Sequence, residues 1–318
     1  MLHYLWKRLT RELVLLCAFY LPPERRRALE RRLRGREEFR RLGLADVVVV
    51  SFGKSGRTWL RVLLSRFFQV RYGLKDSSLL GFDNLNRRDS RIPRVFFTHD
   101  NYLRDYTGHL DDRRDFYDKR TILLVRHPAD VAVSQYFQWK FRMRPGKKTL
   151  NEYPEHGAEV DVFGFVTSEA GLPKVIEFMN AWARELPRMR ELAVVSYEGL
   201  RADTAGELGR ALRFMGQEPT GPELEDCVAF ASVENMRKLE EKKVFWLAGS
   251  RMRAKDAQNP NSYKVRRAKV GGWRDYFDDA QAAAIDLLVE ERLLPGFGYL
   301  ASERRPAAEP AAPVAAGA

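Results

Sequence analysis

Four consecutive valines, Val47–Val50, run directly into Ser51-Phe-Gly-Lys-Ser-Gly-Arg-Thr-Trp59. From Thr58 to Val70 the apolar residues Trp59, Leu60, Leu63, Leu64, Phe67 and Phe68 then recur at helical spacing. A fully apolar β-branched run reads as a strand buried on both faces, as in a parallel sheet. The following periodicity reads as an amphipathic helix. Parallel strands cannot be joined by hairpins, so a strand, a tight glycine loop and a helix in this order imply an α/β sheet covered by helices.

The rest of the chain repeats the alternation. Arg94–Phe97, Thr121–Val125 and Val194–Tyr197 are further strand candidates. Pro128 suits the first turn of a helix. Lys174–Leu186 and Gln281–Leu293 carry helical apolar patterns, and Thr204-Ala-Gly-Glu207 reads as a capping box. The expected organisation is a basic helical segment over 1–45, one α/β domain over 46–300 with a central parallel sheet and a P-loop-like nucleotide site, and a disordered Ala/Pro-rich tail over 301–318. Phe245–Gly272 lacks periodicity and carries several Gly, Asn and Pro residues, as a lid or binding loop does.

The loop after the first strand is where such folds hold phosphate. Gly53 and Gly56 allow a tight turn with inward N–H groups, Lys54 adds a full charge, and Ser55 and Thr58 add hydroxyls at a helix N-terminus. A nucleoside-triphosphate P-loop, G-x-x-x-x-G-K-[ST], would need its first glycine at position 48, which is Val48. A second candidate follows the Thr121–Val125 strand: Arg126 at the strand end and Ser134 almost two helical turns on could grip one phosphate. Alternatively, Arg126 simply pairs with Asp130.

The chain has 55 Lys+Arg against 43 Asp+Glu, a net +12, which predicts an anionic partner. Residues 1–45 hold 12 basic and 5 acidic residues, more than half of that surplus. They read either as a solvated basic helix or as a surface helix on anionic membrane with Leu13, Leu16 and Phe19 on its apolar side. The longest apolar run there, Leu13–Leu21, is far short of the roughly 20 residues a spanning helix needs. Two cysteines, Cys17 and Cys227, exclude a disulfide scaffold and a Cys-rich zinc site and fit a reducing, cytoplasmic location. No His/Cys/carboxylate cluster has metal-ligand spacing, so no metal is expected.

Six segments together resemble the PAPS-dependent sulfotransferases, especially the cytosolic type and its bacterial relatives (PAPS is 3′-phosphoadenosine 5′-phosphosulfate). The family's P-K-S-G-T-T-W loop reads Gly53-Lys-Ser-Gly-Arg-Thr-Trp59 here, and its R-x-P-x-D-x-x-x-S segment matches at Arg126, Pro128, Asp130 and Ser134. A strand ending in T-H falls at Thr98-His99, a Y-E-D-L-type turn at Tyr197–Leu200, S-F-x-x-M at Ser232–Met236, and R-K-G-x-x-G-D-W at Arg266–Trp273. The resemblance spans residues 47–277, about 70% of the chain. It implies that Lys54, Ser55, Gly56, Arg57, Thr58 and Trp59 bind the phosphosulfate end of PAPS and flank its adenine. It further implies that Arg126, Ser134, Arg266, Arg267 and Ala268 bind the 3′-phosphate, with Tyr197, Ser232 and Met236 near the adenine.

Five positions depart from the family pattern. Arg57 replaces a threonine, Phe97 stands where many relatives have a lysine, Val233 replaces an aromatic, Ala268 a glycine and Gly272 an aspartate. The family's K-x-x-x-T-V-x-x-x-E dimerisation segment has no counterpart after Trp273.

Sulfuryl transfer needs a base for the acceptor and a cation for the leaving phosphate. Of five histidines, His127 is held between Arg126 and Pro128, whereas His99 follows the predicted strand Arg94–Phe97, so His99 is the expected general base. Lys54 is expected to stabilise the leaving phosphate, and the resemblance gives Ser134 a role in holding that lysine. The expected acceptor is a hydroxyl or amine on a small molecule, glycan or lipid-linked polar group, with no nucleic acid partner. Arg142, Arg144, Lys147 and Lys148 are candidates to hold an anionic acceptor, or form an ordinary solvated loop. Tyr136, Phe137, Trp139 and Phe141 either line a pocket or belong to the core. The competing functions are a P-loop nucleotide kinase and a non-enzymatic polyanion or membrane binder.

Overall fold

The computed structural model describes residues 2–245, 255–256 and 258–303, with side chains from Thr10 onward. The expected tail therefore lies outside the described residues from 304 on, as does part of the expected lid.

The chain opens with two helices, α1 (Leu2–Cys17) and α2 (Pro23–Leu44). Next come β1 (Val47–Val50), α3 (Arg57–Tyr72), β2 (Val95–Thr98) and the short α4 (Leu103–Thr107). After β3 (Thr121–Val125) the chain forms α5 (Pro128–Phe141), α6 (Pro145–Leu150), α7 (Val162–Thr167) and α8 (Leu172–Ala183). The last strand, β4 (Leu192–Ser196), leads to α9 (Tyr197–Ala202), α10 (Thr204–Phe214), α11 (Gly221–Phe230), α12 (Val233–Glu241) and α13 (Asp279–Arg292).

The four strands form one parallel sheet in the order β2-β1-β3-β4. Alternate strand residues face opposite sides. Val47, Val49, Ile122, Leu124 and Val195 pack with α3, α10, α11 and α12, whereas Val48, Val50, Leu123 and Val125 pack with α5, α8 and α13. Tyr136 and Trp139 belong to a smaller buried cluster around Phe165, so those aromatics of α5 are core.

Helix starts follow local chemistry. Pro128 and Pro145 occupy first-turn positions. Thr220 with Glu223 and Asp278 with Gln281 form capping boxes. At α10 the cap is Asp203, which accepts from the Gly206 N–H at 2.8 Å, and Thr204 is already helical. The expected box is therefore one residue out of place, because the carboxylate of Asp203 competes for the same backbone donor.

Candidate active site

All four strands end at one mouth. Beyond Val50 lies the glycine loop, beyond Thr98 comes His99, beyond Val125 comes Arg126, and beyond Ser196 comes Tyr197. This is the edge where open α/β sheets bind ligands. A cavity of about 1110 Å³ opens there.

The loop is built for an anion. Lys54 and Gly56 both adopt left-handed backbone, at φ 77° and 93°. A Cβ on Gly56 would lie 2.6 Å from the Tyr197 ring, so glycine is needed for both conformation and space. Gly56 is the N-cap of α3, so the helix N-terminus lies at the cavity. Burial lowers the Lys54 pKa to about 7, and the positive charges of Arg142, Arg126 and Arg266 add to this. Lys264 is also held well below its ordinary range, by burial and then by Lys54, Arg142, Arg57 and Arg61. So many converging cations destabilise one another until a multiply charged anion enters.

His99 is fixed from two sides. Its Nδ1 donates to the Ser51 carbonyl at 2.7 Å, and its Nε2 meets Nη2 of Arg57. A carbonyl only accepts and a guanidinium only donates, so the ring is the neutral Nδ1–H tautomer. Burial pushes its pKa well below the ordinary value, and Arg57 adds to the shift. Asp100, the next residue, sits at φ 52° with its buried carboxylate 2.6 Å from Arg113. Its N–H donates to Thr98 Oγ1 at 2.9 Å. This turn aims the imidazole.

Arg126 combines both readings of its segment. It lies 3.4 Å from Asp130, donates to the Lys269 carbonyl at 3.0 Å, and stacks over Tyr197 at 4.2 Å, yet it still lines the cavity with Ser134. Asp130 also accepts from the Gly271 and Trp273 N–H groups at 2.8 and 3.0 Å, tying the late loop to α5. In that loop Ala268 keeps φ 52°, the left-handed conformation that suits glycine. Arg266 stacks 3.8 Å over Phe137, while Arg267 is paired with Asp275 at 2.7 Å.

Of the residues expected in the site, Lys54, Gly56, Arg57, Thr58, Trp59, His99, Arg126, Ser134, Tyr197, Met236, Arg266, Arg267 and Ala268 all line this cavity. Ser55 is buried beneath the loop. Ser232 caps α12 by accepting from the Asn235 N–H at 3.3 Å. Trp59 donates to the Ala231 carbonyl at 2.9 Å and meets Tyr197 edge-on at 5.7 Å. Of the four basic residues expected in a loop, Lys147 and Lys148 lie on α6, and Arg142, Arg144 and Lys147 reach the cavity. Lys148 is buried, with its ammonium 4.7 Å above Trp139. Sequence reasoning missed Lys264 and Glu240. The Glu240 carboxylate accepts from the Lys264 N–H at 2.8 Å and pairs with Arg142 at 3.6 Å. No local pattern marks such a pairing across about a hundred residues.

A sequence profile of the sulfotransferase domain matches residues 44–295. The chain belongs to the sulfotransferase family. Rat sulfotransferase 2A6 is 26% identical over 268 residues, covering 78% of this chain and 84% of that protein. Cytosolic sulfotransferase 17 of Arabidopsis thaliana is 25% identical, covering 81% and 77%. Mouse sulfotransferase SULT7A1, solved with PAP (the desulfated form of PAPS), superposes with a TM-score of 0.52 at 18% identity over 78% of this chain and 84% of that one. Retinol dehydratase, solved with retinol and PAP, gives 0.55 at 14% identity over 81% and 85%. The sulfotransferase is thus a single α/β fold of this kind, and among its described residues no group of side chains is arranged to hold a metal ion.

Proposed function

We propose that this sulfotransferase moves the sulfuryl group of PAPS to a hydroxyl or amine on a polar acceptor. The carrying observation is the convergence, in one cavity, of a cation-rich phosphate loop, the Arg126–Ser134 pair and a neutral His99. Lys54 would balance charge growing on the bridging oxygen, and Arg126, Ser134 and Arg266 would hold the 3′-phosphate. His99 would take the acceptor proton, with Asp100 and Arg113 keeping its direction. Lys54→Ala and His99→Ala should each remove nearly all transfer, and His99→Ala should leave PAP affinity almost intact.

The acceptor end of the cavity favours polar chemistry. Arg31, Asn101, Arg104, Lys147, Asn151 and Lys174 line the cavity, alongside Glu152, Glu177, Tyr153 and Phe178. One relative is named a 3-alpha-hydroxysteroid sulfotransferase, from Cavia porcellus, but the cations and amides among these lining residues favour a polyol or an anionic glycan for this chain. Burial, with the nearby Arg34, lowers the Lys147 pKa to about 8, so an acidic group on the acceptor would be welcome there. Leu13, Leu16, Phe19 and Tyr20 are exposed near the end of α1, and Arg25, Arg26 and Arg32 are exposed on α2. This supports peripheral contact of a cytoplasmic enzyme with anionic membrane. No helix among the described residues is long and apolar enough to cross one.

The test is transfer from 35S-labelled PAPS to a glucuronate-terminated disaccharide, phosphatidylinositol vesicles, a phenol and a hydroxysteroid. Label in either of the first two is expected. Label only in the phenol or the steroid would contradict the polar reading. Magnesium-dependent phosphoryl transfer from ATP would favour a kinase.

A further inference from the structure

Nε2 of His99 has one lone pair, and Arg57 holds it. The acceptor hydroxyl needs that same lone pair, so both cannot be satisfied together. Arg57 is the first residue of α3, immediately after the glycine loop, so its backbone is anchored beside the expected phosphosulfate site. Only its side chain has to rotate. The guanidinium is charged in either contact, but only an anion adds full charge–charge attraction and a bidentate fit, so an anion in the loop outcompetes a neutral imidazole for it.

The neighbouring residues give that charge a use. Position 97 carries no cation here, and the Phe97 ring is covered by Arg61 at 3.8 Å. Lys264 and Lys147 are the other cations whose charge reaches His99. Glu38 of α2, whose burial raises its pKa to about 7, feels the charge of both Arg57 and Arg41. In its ionised form this carboxylate helps retain Arg57 near the base until a stronger anion arrives.

We propose that Arg57 is a displaceable cap on the base: it occupies His99 Nε2 in the nucleotide-free protein, and the phosphosulfate draws it away. This rests on the reading of His99 as general base. In the step that follows, the acceptor oxygen forms a bond to sulfur and its proton passes to Nε2. The bond from sulfur to the bridging oxygen breaks, leaving its electron pair on the 5′-phosphate of PAP. Arg57 moves no proton. It exposes the base only when donor is present, and it supplies the sulfuryl oxygens with the charge that position 97 lacks.

The test uses the full chain without nucleotide at pH 7. Carbethoxylation of His99 by diethyl pyrocarbonate is followed by peptide mass mapping in wild type, Arg57→Thr and Arg57→Lys. Arg57→Thr is expected to react about tenfold faster or more, with Arg57→Lys in between, as about 1.4 kcal/mol of lost hydrogen bond would give. With the best acceptor from the labelled-PAPS screen, kcat of Arg57→Thr should fall roughly 100-fold while the PAP dissociation constant moves less than about fivefold. Equal carbethoxylation of wild type and Arg57→Thr, both with native circular dichroism, overturns the cap. His99→Gln separates the two readings. If it still turns over, the base assignment fails. If it is inactive while Arg57→Thr reacts and turns over like wild type, only the cap fails.

Discussion

Lys54 shows how burial among converging cations affects a single residue. Its pKa of about 7 leaves it mostly neutral at pH 8. A phosphate anion beside it favours the charged form and raises that pKa, so nucleotide binding must take up a proton. The phosphates of PAP are already ionised at pH 8 and release none. Calorimetry of PAP binding at pH 8, in two buffers of different ionisation enthalpy, should report uptake of about one proton. Lys54→Met should remove most of it, and affinity should weaken as pH rises above 7. Backbone strain gathers at the same place, with Lys54, Asp100 and Ala268 all at positive φ. Ala268→Gly should relieve about 1 kcal/mol and tighten PAP binding several-fold. Gly56→Ala, pressed against Tyr197, should weaken PAP binding more than tenfold by calorimetry. The residues of the glycine loop and of the Arg126 segment were legible in the sequence because each motif completes its chemistry within nine residues. Glu240, Lys264 and the Asp100–Arg113 pair were not, because their partners come together only in the fold.

At the scale of elements, the strands were readable because buried parallel strands admit little but apolar residues. Val47–Val50 and Thr121–Val125 occur with the boundaries the sequence implies, and β2 runs one residue later than expected, to Thr98. Short helices such as α6 and α7 span less than two turns, which is too brief for a periodic signal. Residues 23–44 also proved inseparable from the body. Gly35 lies so close to α4 that an added Cβ would meet the Tyr102 carbonyl at 2.1 Å, and Arg31 bonds Asp105 at 3.0 Å and the Asn101 carbonyl at 3.1 Å. Composition marked this segment as basic but gave no sign of the docking. The late loop depends on a single carboxylate, Asp130. Asp130→Ala should leave the fold intact but lower PAP affinity about tenfold, the worth of one or two charged hydrogen bonds. Limited proteolysis should then cut faster within residues 255–276.

For the whole molecule, the positive surplus divides into two regions, the cavity at the strand ends and the helical pair α1–α2. Filling the first with PAP removes repulsion within the folded state, so saturating PAP should raise the melting temperature by roughly 5–10 °C. Co-sedimentation with phosphatidylserine vesicles tests the second. Leu16→Glu with Phe19→Glu should abolish binding there while leaving PAP affinity unchanged. The central claim is that this cavity reads a 3′-phosphate through Arg126 and Ser134 beside the sulfuryl-transfer site. Calorimetric titration with PAP, beside ATP without magnesium, tests it most directly. Micromolar or tighter binding of PAP, with ATP weaker by a factor of about 100, is the predicted result. Equal or preferred binding of ATP would contradict the account.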